Sequence, residues 1–142
     1  MEITIQNETE RQINQKKLID LAIKILESEL GDREVGILNI KLTDDKEITR
    51  INEQFRGKAE PTDILSFEYG LEEEIIGDIV LSLERIAEQS EEFGYSFEEE
   101  LSYILIHGIL HILGYEHQGD DTGEEEIFAI QKEYFQRYFE EG

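Results

Sequence analysis

Apolar and polar residues alternate with a period of two in four segments of the chain, which predicts four β-strands. The first strand is short and covers Ile3–Ile5. The other three cover Val35–Leu42, Thr62–Phe67 and Ile75–Leu83. All four segments precede residue 84, and apolar residues at helical spacing dominate the rest of the chain.

Two helices are predicted between the first three strands. Leu18–Leu26 has apolar residues three and four apart, and Gly31 ends this helix because glycine tolerates a left-handed backbone. Asp44 caps a second, short helix, and Glu47 stands three residues later as its capping-box partner.

Three further helices are predicted after the strands, the first of them at Leu83–Phe93. Their boundary signals are Gly94 after the first helix, Ser96 with Glu99 before the second, and Thr122 with Glu125 before the third. Strands followed by helices indicate an α+β fold, with a small mixed four-stranded sheet packed with about five helices. Neither a repeat nor a linker-like tract divides the sequence, so residues 1–142 are expected to form a single domain.

The composition limits the location and the kind of site. The N-terminal residues MEITIQNETE lack the features of a signal peptide, and the apolar run Leu101–Leu113 is too short and too interrupted to span a membrane. A cytoplasmic protein is therefore expected. With no cysteine in the chain, disulfides and thiolate metal sites are excluded.

The negative charge of the chain is extreme and unevenly distributed. The formal net charge is −22; residues 1–58 hold 10 of the 13 basic residues, and residues 59–142 hold 23 of the 35 acidic ones. Such a surface repels nucleic acid over most of its area, because phosphate binding draws on clustered lysine and arginine. A local positive groove could still form from a few side chains: Lys41, Lys46, Arg50, Arg56 and Lys58.

The three histidines of the chain fall within eleven residues, HGILHILGYEH at 107–117. His107 and His111 are four apart on a predicted helix, so both imidazoles lie on one face and can share one metal ion. Gly114 allows the chain to leave the helix and to bring His117 back toward the same ion. Three imidazoles without thiolates favour one zinc ion per chain with an open fourth position, which is typical of a catalytic site.

The spacing of the histidines is zincin-like, with one important difference. Zinc peptidases of that type carry a glutamate directly after the first histidine as general base, and this chain has Gly108 there. Peptidase chemistry is therefore doubtful. A glycine inside a helix costs about 1 kcal/mol relative to alanine, which indicates that some group approaches the helix closely at this point.

A second segment, residues 52–67, joins a basic turn to the only proline of the chain, Pro61. Arg56 in this turn has the planar guanidinium suited to binding a phosphate or a carboxylate. An ordinary surface or helix-capping arginine is an equally good interpretation of Arg56 at this point.

Three motifs together resemble the YbeY family of bacterial ribosomal RNA maturation factors. They are FRGK-x-x-PTD-x-LSF at 55–67, GDI-x-x-S at 77–82 and H-G-x-L-H-x-x-G-Y-x-H at 107–117. The third motif is highly specific because glycine replaces the peptidase glutamate. One departure is Glu116, where the family usually has aspartate.

The resemblance implies a zinc-dependent, single-strand-specific endoribonuclease that acts in small-subunit ribosomal RNA maturation and ribosome quality control. It implies zinc on His107, His111 and His117, Arg56 as the functional arginine, and ribosomal RNA and ribosomal proteins as partners. Two alternatives remain open: a metallohydrolase acting on a peptide or an ester, and a non-catalytic ribosome-assembly factor with a structural metal.

Overall fold

The computed structural model describes the backbone of residues 1–115 and 121–140 and the side chains of 1–115 and 126–139. Its strands are β1 (Glu2–Asn7), β2 (Ile37–Thr43), β3 (Ile64–Glu68) and β4 (Ile75–Ser82). Its helices are α1 (Gln15–Leu30), α2 (Asp45–Arg56), α3 (Leu83–Phe93), α4 (Phe97–Ile112) and α5 (Asp121–Phe135), followed by a π-helical turn at Gln136–Glu140.

The four strands form one mixed sheet in the order β1-β2-β4-β3. β1, β2 and β4 run parallel to one another, whereas β3 is antiparallel to β4 and forms one edge of the sheet. The predicted α+β fold with a four-stranded mixed sheet and five helices is confirmed.

The main hydrophobic core lies on one face of the sheet. Alternate residues of the strands, such as Leu38 and Ile40 on β2 and Ile79 and Leu81 on β4, are almost fully buried there against α1, α3, α4 and α5. Helix α4 supplies a continuous series of buried residues to this core: Leu101, Leu105, Ile106, Ile109, Leu110 and Ile112. This burial fixes α4 against the sheet and so determines which of its faces is left for chemistry.

Helix α2 packs on the opposite face of the sheet, near β3 and β4. Ile48 and Ile51 of the helix form a smaller core with Leu65 and Val80 of the strands. The alternation of side chains along β3 therefore sends Leu65 toward α2 and its neighbours Ile64 and Ser66 toward α4.

The helix boundaries follow the capping signals in the sequence. Ser96 and Glu99 form the predicted capping box at the start of α4, and Asp44 accepts a hydrogen bond from the backbone N–H of Glu47 at the start of α2. The reciprocal bond predicted from Glu47 is replaced by ion pairs with Lys41 and Arg50. The expected start of the last helix at Thr122 lies one residue inside α5, in a stretch whose side chains are outside the described residues.

None of the helices in the described ranges is long and apolar enough to cross a membrane.

Candidate metal centre and active site

His107 and His111 lie one helical turn apart on α4, with their rings in contact. The ring centroids are 4.4 Å apart, and the Nε2 atoms of the two imidazoles are separated by 2.8 Å. Both rings are partly buried, while the neighbouring positions Ile106, Ile109 and Leu110 are fully buried in the core. The apolar side of α4 thus holds the helix in place, and both Nε2 atoms point to one common position.

Gln131 on α5 determines which nitrogen of His107 carries the proton. The Gln131 side chain is buried, and its Nε2 donates to the backbone carbonyl of Tyr103 at 2.9 Å. Its other amide atom, Oε1, can only accept, so the Nδ1 atom of His107, 3.0 Å away, must donate to it. The Nε2 atom of a neutral His107 is then unprotonated and presents its lone pair toward His111.

The two imidazoles fit the ligand set of a transition metal. Neutral histidine binds through an unprotonated ring nitrogen, and the other nitrogen of a metal-binding histidine commonly donates to a fixed partner. Two nitrogens on one tetrahedral zinc are about 3.4 Å apart for Zn–N bonds of about 2.0–2.1 Å. A separation of 2.8 Å between the Nε2 atoms of His107 and His111 therefore needs to widen by only about half an ångström.

The third predicted ligand, His117, lies outside the described residues, as does Glu116. Within the described ranges, no group of three or more metal-binding side chains is found. The first described range ends at Tyr115, just after α4 ends. Gly114 has a φ of 96°, and the backbone N–H groups of Gly114 and Tyr115 bond to the carbonyls of His111 and Leu110. This is a Schellman helix end, and it confirms the left-handed exit predicted for Gly114.

Gly108 faces the sheet. A Cβ atom at this position would lie 2.5 Å from Cδ1 of Ile64 on β3 and 3.3 Å from Cδ1 of Ile79 on β4. The expectation that a group approaches α4 closely here is confirmed, and that group is the sheet. Because any side chain at position 108 would start toward the sheet, packing explains why this helix has glycine where the zinc peptidases have glutamate.

Arg56 is the last residue of α2 and reaches the outer edge of the sheet. Its guanidinium donates to the backbone carbonyl of Ser66 at 3.0 Å and lies 5.5 Å from the centre of the Phe67 ring. The hydroxyl oxygen of Ser66 lies on the α4 side, 3.4 Å from a Cβ built at Gly108. Ser66 thus connects Arg56 to the turn of α4 that carries His107, although the described contacts join Arg56 to neither histidine directly.

The other basic residues of the predicted groove are only partly brought together. Lys41 and Arg50 line one cavity between α2 and the sheet, but Glu47 pairs with both of them and Glu8 also pairs with Lys41. The remaining basic residues, Lys46 and Lys58, are not among the residues that line this cavity.

Two polar residues of the family motifs, Asp78 and Ser82, have structural roles. Asp78 accepts hydrogen bonds from Asn39 at 3.0 Å and from Tyr69 at 2.6 Å, on the face of the sheet opposite α4. The bond to Asp78 raises the pKa of Tyr69 to about 12. Ser82 caps α3 and donates to Asp45. These contacts hold the strands and helices that carry the site.

Two site residues were not found from the sequence. Gln131 lies between Ile127 and Tyr134 on the buried face of α5. A polar residue within an apolar stripe of a helix is the sequence signal that could have indicated a buried hydrogen-bonding role for Gln131. Phe128 stacks on His107 with ring centroids 5.6 Å apart although its own side chain is 51% exposed. A helix with two convergent imidazoles, one of them in a fixed tautomer, and an arginine bonded to the edge strand of the neighbouring sheet are typical of a metal-dependent hydrolase.

Comparison with known proteins gives the particular family. The model of the endoribonuclease YbeY family matches residues 3–139 of the chain. The endoribonuclease YbeY of Petrotoga mobilis is 52% identical over 95% of this chain and 94% of its own length. That of Persephonella marina is 42% identical over 89% of this chain and 85% of its own length.

A solved structure agrees with this result. The solution structure of a protein from Thermotoga maritima matches with a TM-score of 0.67 and 34% identity, over 99% of this chain and 91% of that one. The chain belongs to the endoribonuclease YbeY family. It is an endoribonuclease, a hydrolase that acts on phosphodiester bonds of RNA.

Proposed function

We propose that this chain is a zinc-dependent, single-strand-specific endoribonuclease with one zinc ion per chain, held by His107, His111 and His117. Residues 1–142 act as one hydrolase domain in small-subunit ribosomal RNA maturation and ribosome quality control. Its substrate is precursor ribosomal RNA in the cytoplasm, and its partners are the ribosome or ribosomal proteins. The observation that supports the metal site most strongly is the convergence of the two Nε2 atoms at 2.8 Å, with Nδ1 of His107 bonded to Gln131.

Held by these three histidines, a zinc ion would supply Lewis-acid polarisation of the scissile phosphoryl group and activation of the attacking oxygen. The chain's own contribution is positional. Gln131 holds His107 in the tautomer that leaves Nε2 unprotonated, and Phe128 packs on the ring of His107. Both imidazole rings are partly buried, and the lower dielectric of a partly buried position strengthens electrostatic interactions.

Arg56 is proposed to bind the phosphate next to the scissile bond and to stabilise the charge that develops on it. A guanidinium forms paired hydrogen bonds to phosphate oxygens and stays protonated at any pH of interest. Within the described residues it makes one hydrogen bond, to the Ser66 carbonyl, which orients it at the sheet edge and leaves its other N–H groups for a substrate. Within the described residues, no side chain is assigned as general base.

The test is metal analysis and RNA cleavage on the same purified protein. We expect about one zinc per chain, cleavage of single-stranded RNA but not of duplex RNA, and loss of cleavage with a chelator. The His111→Ala variant should lose both metal and activity while far-UV circular dichroism shows a folded chain. Protein that contains no metal and takes up no added zinc would contradict the proposed centre.

The end group of the cleavage product distinguishes attack by the ribose 2′-hydroxyl from attack by water. A 2′,3′-cyclic phosphate at the new end indicates attack by the neighbouring ribose 2′-hydroxyl, and a linear phosphate indicates attack by water. If the protein cut peptides or esters and not RNA, it would be a metallohydrolase of another kind. If it cut nothing while loss of zinc unfolded it, the metal would be structural.

A further inference from the structure

A cavity of about 500 Å³ opens beside the helix of the histidines, between α3, α4 and α5. Aromatic side chains form much of its wall. Tyr103 and Phe135 meet edge to face with centroids 5.5 Å apart, and Phe93 and Tyr95 stand more than half exposed at the lining. A half-open cavity with several aromatic faces suits a flat aromatic ligand.

Glu100 is the unusual residue of this cavity. Its side chain is only 5% exposed and lines the cavity, and its Oε2 atom has no hydrogen-bond partner within the described part of the chain. Burial, and then the neighbouring carboxylate of Asp63, raise the pKa of Glu100. A buried carboxyl oxygen without a partner is costly, so it calls for a hydrogen-bond donor that the described residues do not provide.

The residues of α4 that line the cavity, among them Glu100 and Tyr103, belong to the turns that precede His107. Glu100 precedes His107 by seven residues, which is two helical turns on one face and about 10 Å along the axis. Gln131 links the two places because it bonds both to His107 and to the carbonyl of Tyr103. At about 3.4 Å per nucleotide of a stacked strand, this distance is about three nucleotides.

The polar groups of the cavity select the chemistry of the ligand. Hydrogen bonds donated to Glu100 favour its ionised form, and the negative charges of Glu100 and Asp63 then repel phosphate, so the cavity is suited to a base rather than to the RNA backbone. Guanine presents two adjacent N–H donors, at N1 and N2, to a carboxylate. Adenine and cytosine each present one N–H donor beside a ring acceptor, and uracil places its single N–H between two carbonyls, so each would meet the carboxylate less favourably.

We propose that this cavity is a guanine-binding subsite for single-stranded RNA, in which Glu100 accepts hydrogen bonds from the guanine edge. Tyr95 and Tyr103 provide the aromatic surfaces on which the base packs, as in other proteins that read unstacked bases. Lys132, exposed at the lining, is available to the neighbouring phosphate. The subsite rests on the endoribonuclease function of the chain and adds a base preference to it.

The test uses oligouridine RNAs that carry one guanosine, with matched oligomers that carry adenosine or inosine at that position. We expect cleavage within about three nucleotides of the guanosine, and kcat/KM lower by about tenfold or more when adenosine replaces it. The inosine oligomer, whose base lacks the 2-amino group, should be cleaved with a kcat/KM between those of the guanosine and adenosine oligomers. Binding of guanosine and adenosine monophosphates to the same zinc-loaded protein is measured by calorimetry.

The isosteric Glu100→Gln variant should lose most of the guanosine preference, because its amide presents one acceptor and one donor in place of the two acceptors of the carboxylate. The control is Glu98→Gln, an exposed glutamate of the same helix that pairs with Lys17 and does not line the cavity. It should keep the preference. Equal cleavage of all oligomers by the parent, or a preference unchanged in Glu100→Gln, would overturn the subsite while leaving the nuclease intact.

Failure of the proposed nuclease gives a different result, since no oligomer is then cut. The binding measurement still decides the subsite in that case, and also if Glu100→Gln does not fold. Tighter binding of guanosine monophosphate than of adenosine monophosphate by the parent supports the subsite, and equal binding contradicts it.

Discussion

A methyl group at Gly108 would overlap the Cδ1 atom of Ile64, which lies at the end of a partly exposed and adjustable side chain. Overpacking of this kind costs about 1–3 kcal/mol. Replacing a helical glycine by alanine recovers about 1 kcal/mol of helix propensity. The balance at this single residue therefore depends on whether Ile64 can move.

We expect Gly108→Ala to lower the free energy of unfolding by roughly 0–2 kcal/mol. In the Ile64→Val background, which lacks the Cδ1 atom, the same substitution should be neutral or stabilising. Urea unfolding of the parent, both single variants and the double variant gives the coupling energy between the two sites. Gly77→Ala is the control. A Cβ at Gly77 would lie 2.9 Å from the backbone carbonyl oxygen of Phe67, and Ile64→Val cannot relieve that contact, so the two substitutions should be additive. Purely additive effects of Gly108→Ala and Ile64→Val would contradict the packing explanation.

Gln131 provides a second prediction at the level of one residue. In Gln131→Leu, Nδ1 of His107 loses its acceptor and the tautomer is no longer fixed. Loss of such a partner commonly weakens metal binding by about 10–100-fold. Zinc affinity, measured by competition with a chelating dye, should fall by that amount, whereas Gln54→Leu on the exposed side of α2 should not change it. An unchanged affinity in Gln131→Leu would remove Gln131 from the metal centre.

At the scale of elements, the end of α4 is tied to two other helices through Glu29 of α1. The carboxylate of Glu29 accepts hydrogen bonds from Tyr115, at 2.5 Å, and from Tyr134 on α5. These bonds, with burial, raise the pKa of Tyr115 to about 12 and raise that of Tyr134 as well. One acidic side chain thus positions the residue two places before His117.

The Glu29 contacts predict loss of stability in alkali. A tyrosine whose pKa is about 12 in the folded state and about 10 when unfolded holds its proton longer when folded. Stability is therefore lost as the pH rises from about 10 to about 12. In Tyr115→Phe this slope should be shallower, by up to roughly 1.4 kcal/mol per pH unit, the value for one proton. Urea unfolding at pH 9, 10 and 11 measures how the free energy of unfolding changes with pH. The control is Tyr95→Phe, at an exposed tyrosine, which should keep the slope of the parent.

Local patterns in the sequence predicted most of the elements but not their arrangement. Capping residues such as Ser96 and Gly94 mark helix ends by bonds within a few residues, so they can be recognised in the sequence. The insertion of β4 between β2 and β3, and the position of α2 on the second face, depend on contacts between distant segments. Periodicity reports which residues are buried and not what they are buried against, and for this reason Gln131 and Glu29 were also missed.

At the scale of the whole molecule, the charge of −22 opposes both folding and the approach of RNA. Added sodium chloride screens the repulsion among the acidic side chains, so it should raise the free energy of unfolding measured in urea. The described ion pairs have partly exposed side chains, as in Lys41 with Glu8, or exposed ones, as in Lys17 with Glu98, and contribute little stability that salt could remove. A fall in stability between about 10 and about 150 mM salt, where the Debye length shrinks from about 30 to about 8 Å, would contradict this.

The same charge predicts an unusual salt response of RNA cleavage. At about 10 mM salt the Debye length of about 30 Å lets most of the acidic body act on an approaching phosphate chain. Near 150 mM only groups close to the bound phosphate, such as Arg56, still act. The value of kcat/KM should therefore rise between these two concentrations, whereas binding to nucleic acid normally weakens as salt increases. The variant Glu72→Gln/Glu73→Gln/Glu74→Gln removes three exposed charges from the turn between β3 and β4 and should flatten the rise. A steady fall of kcat/KM from the lowest salt, in the parent and the variant alike, would show that local basic groups and not the net charge control the encounter with RNA.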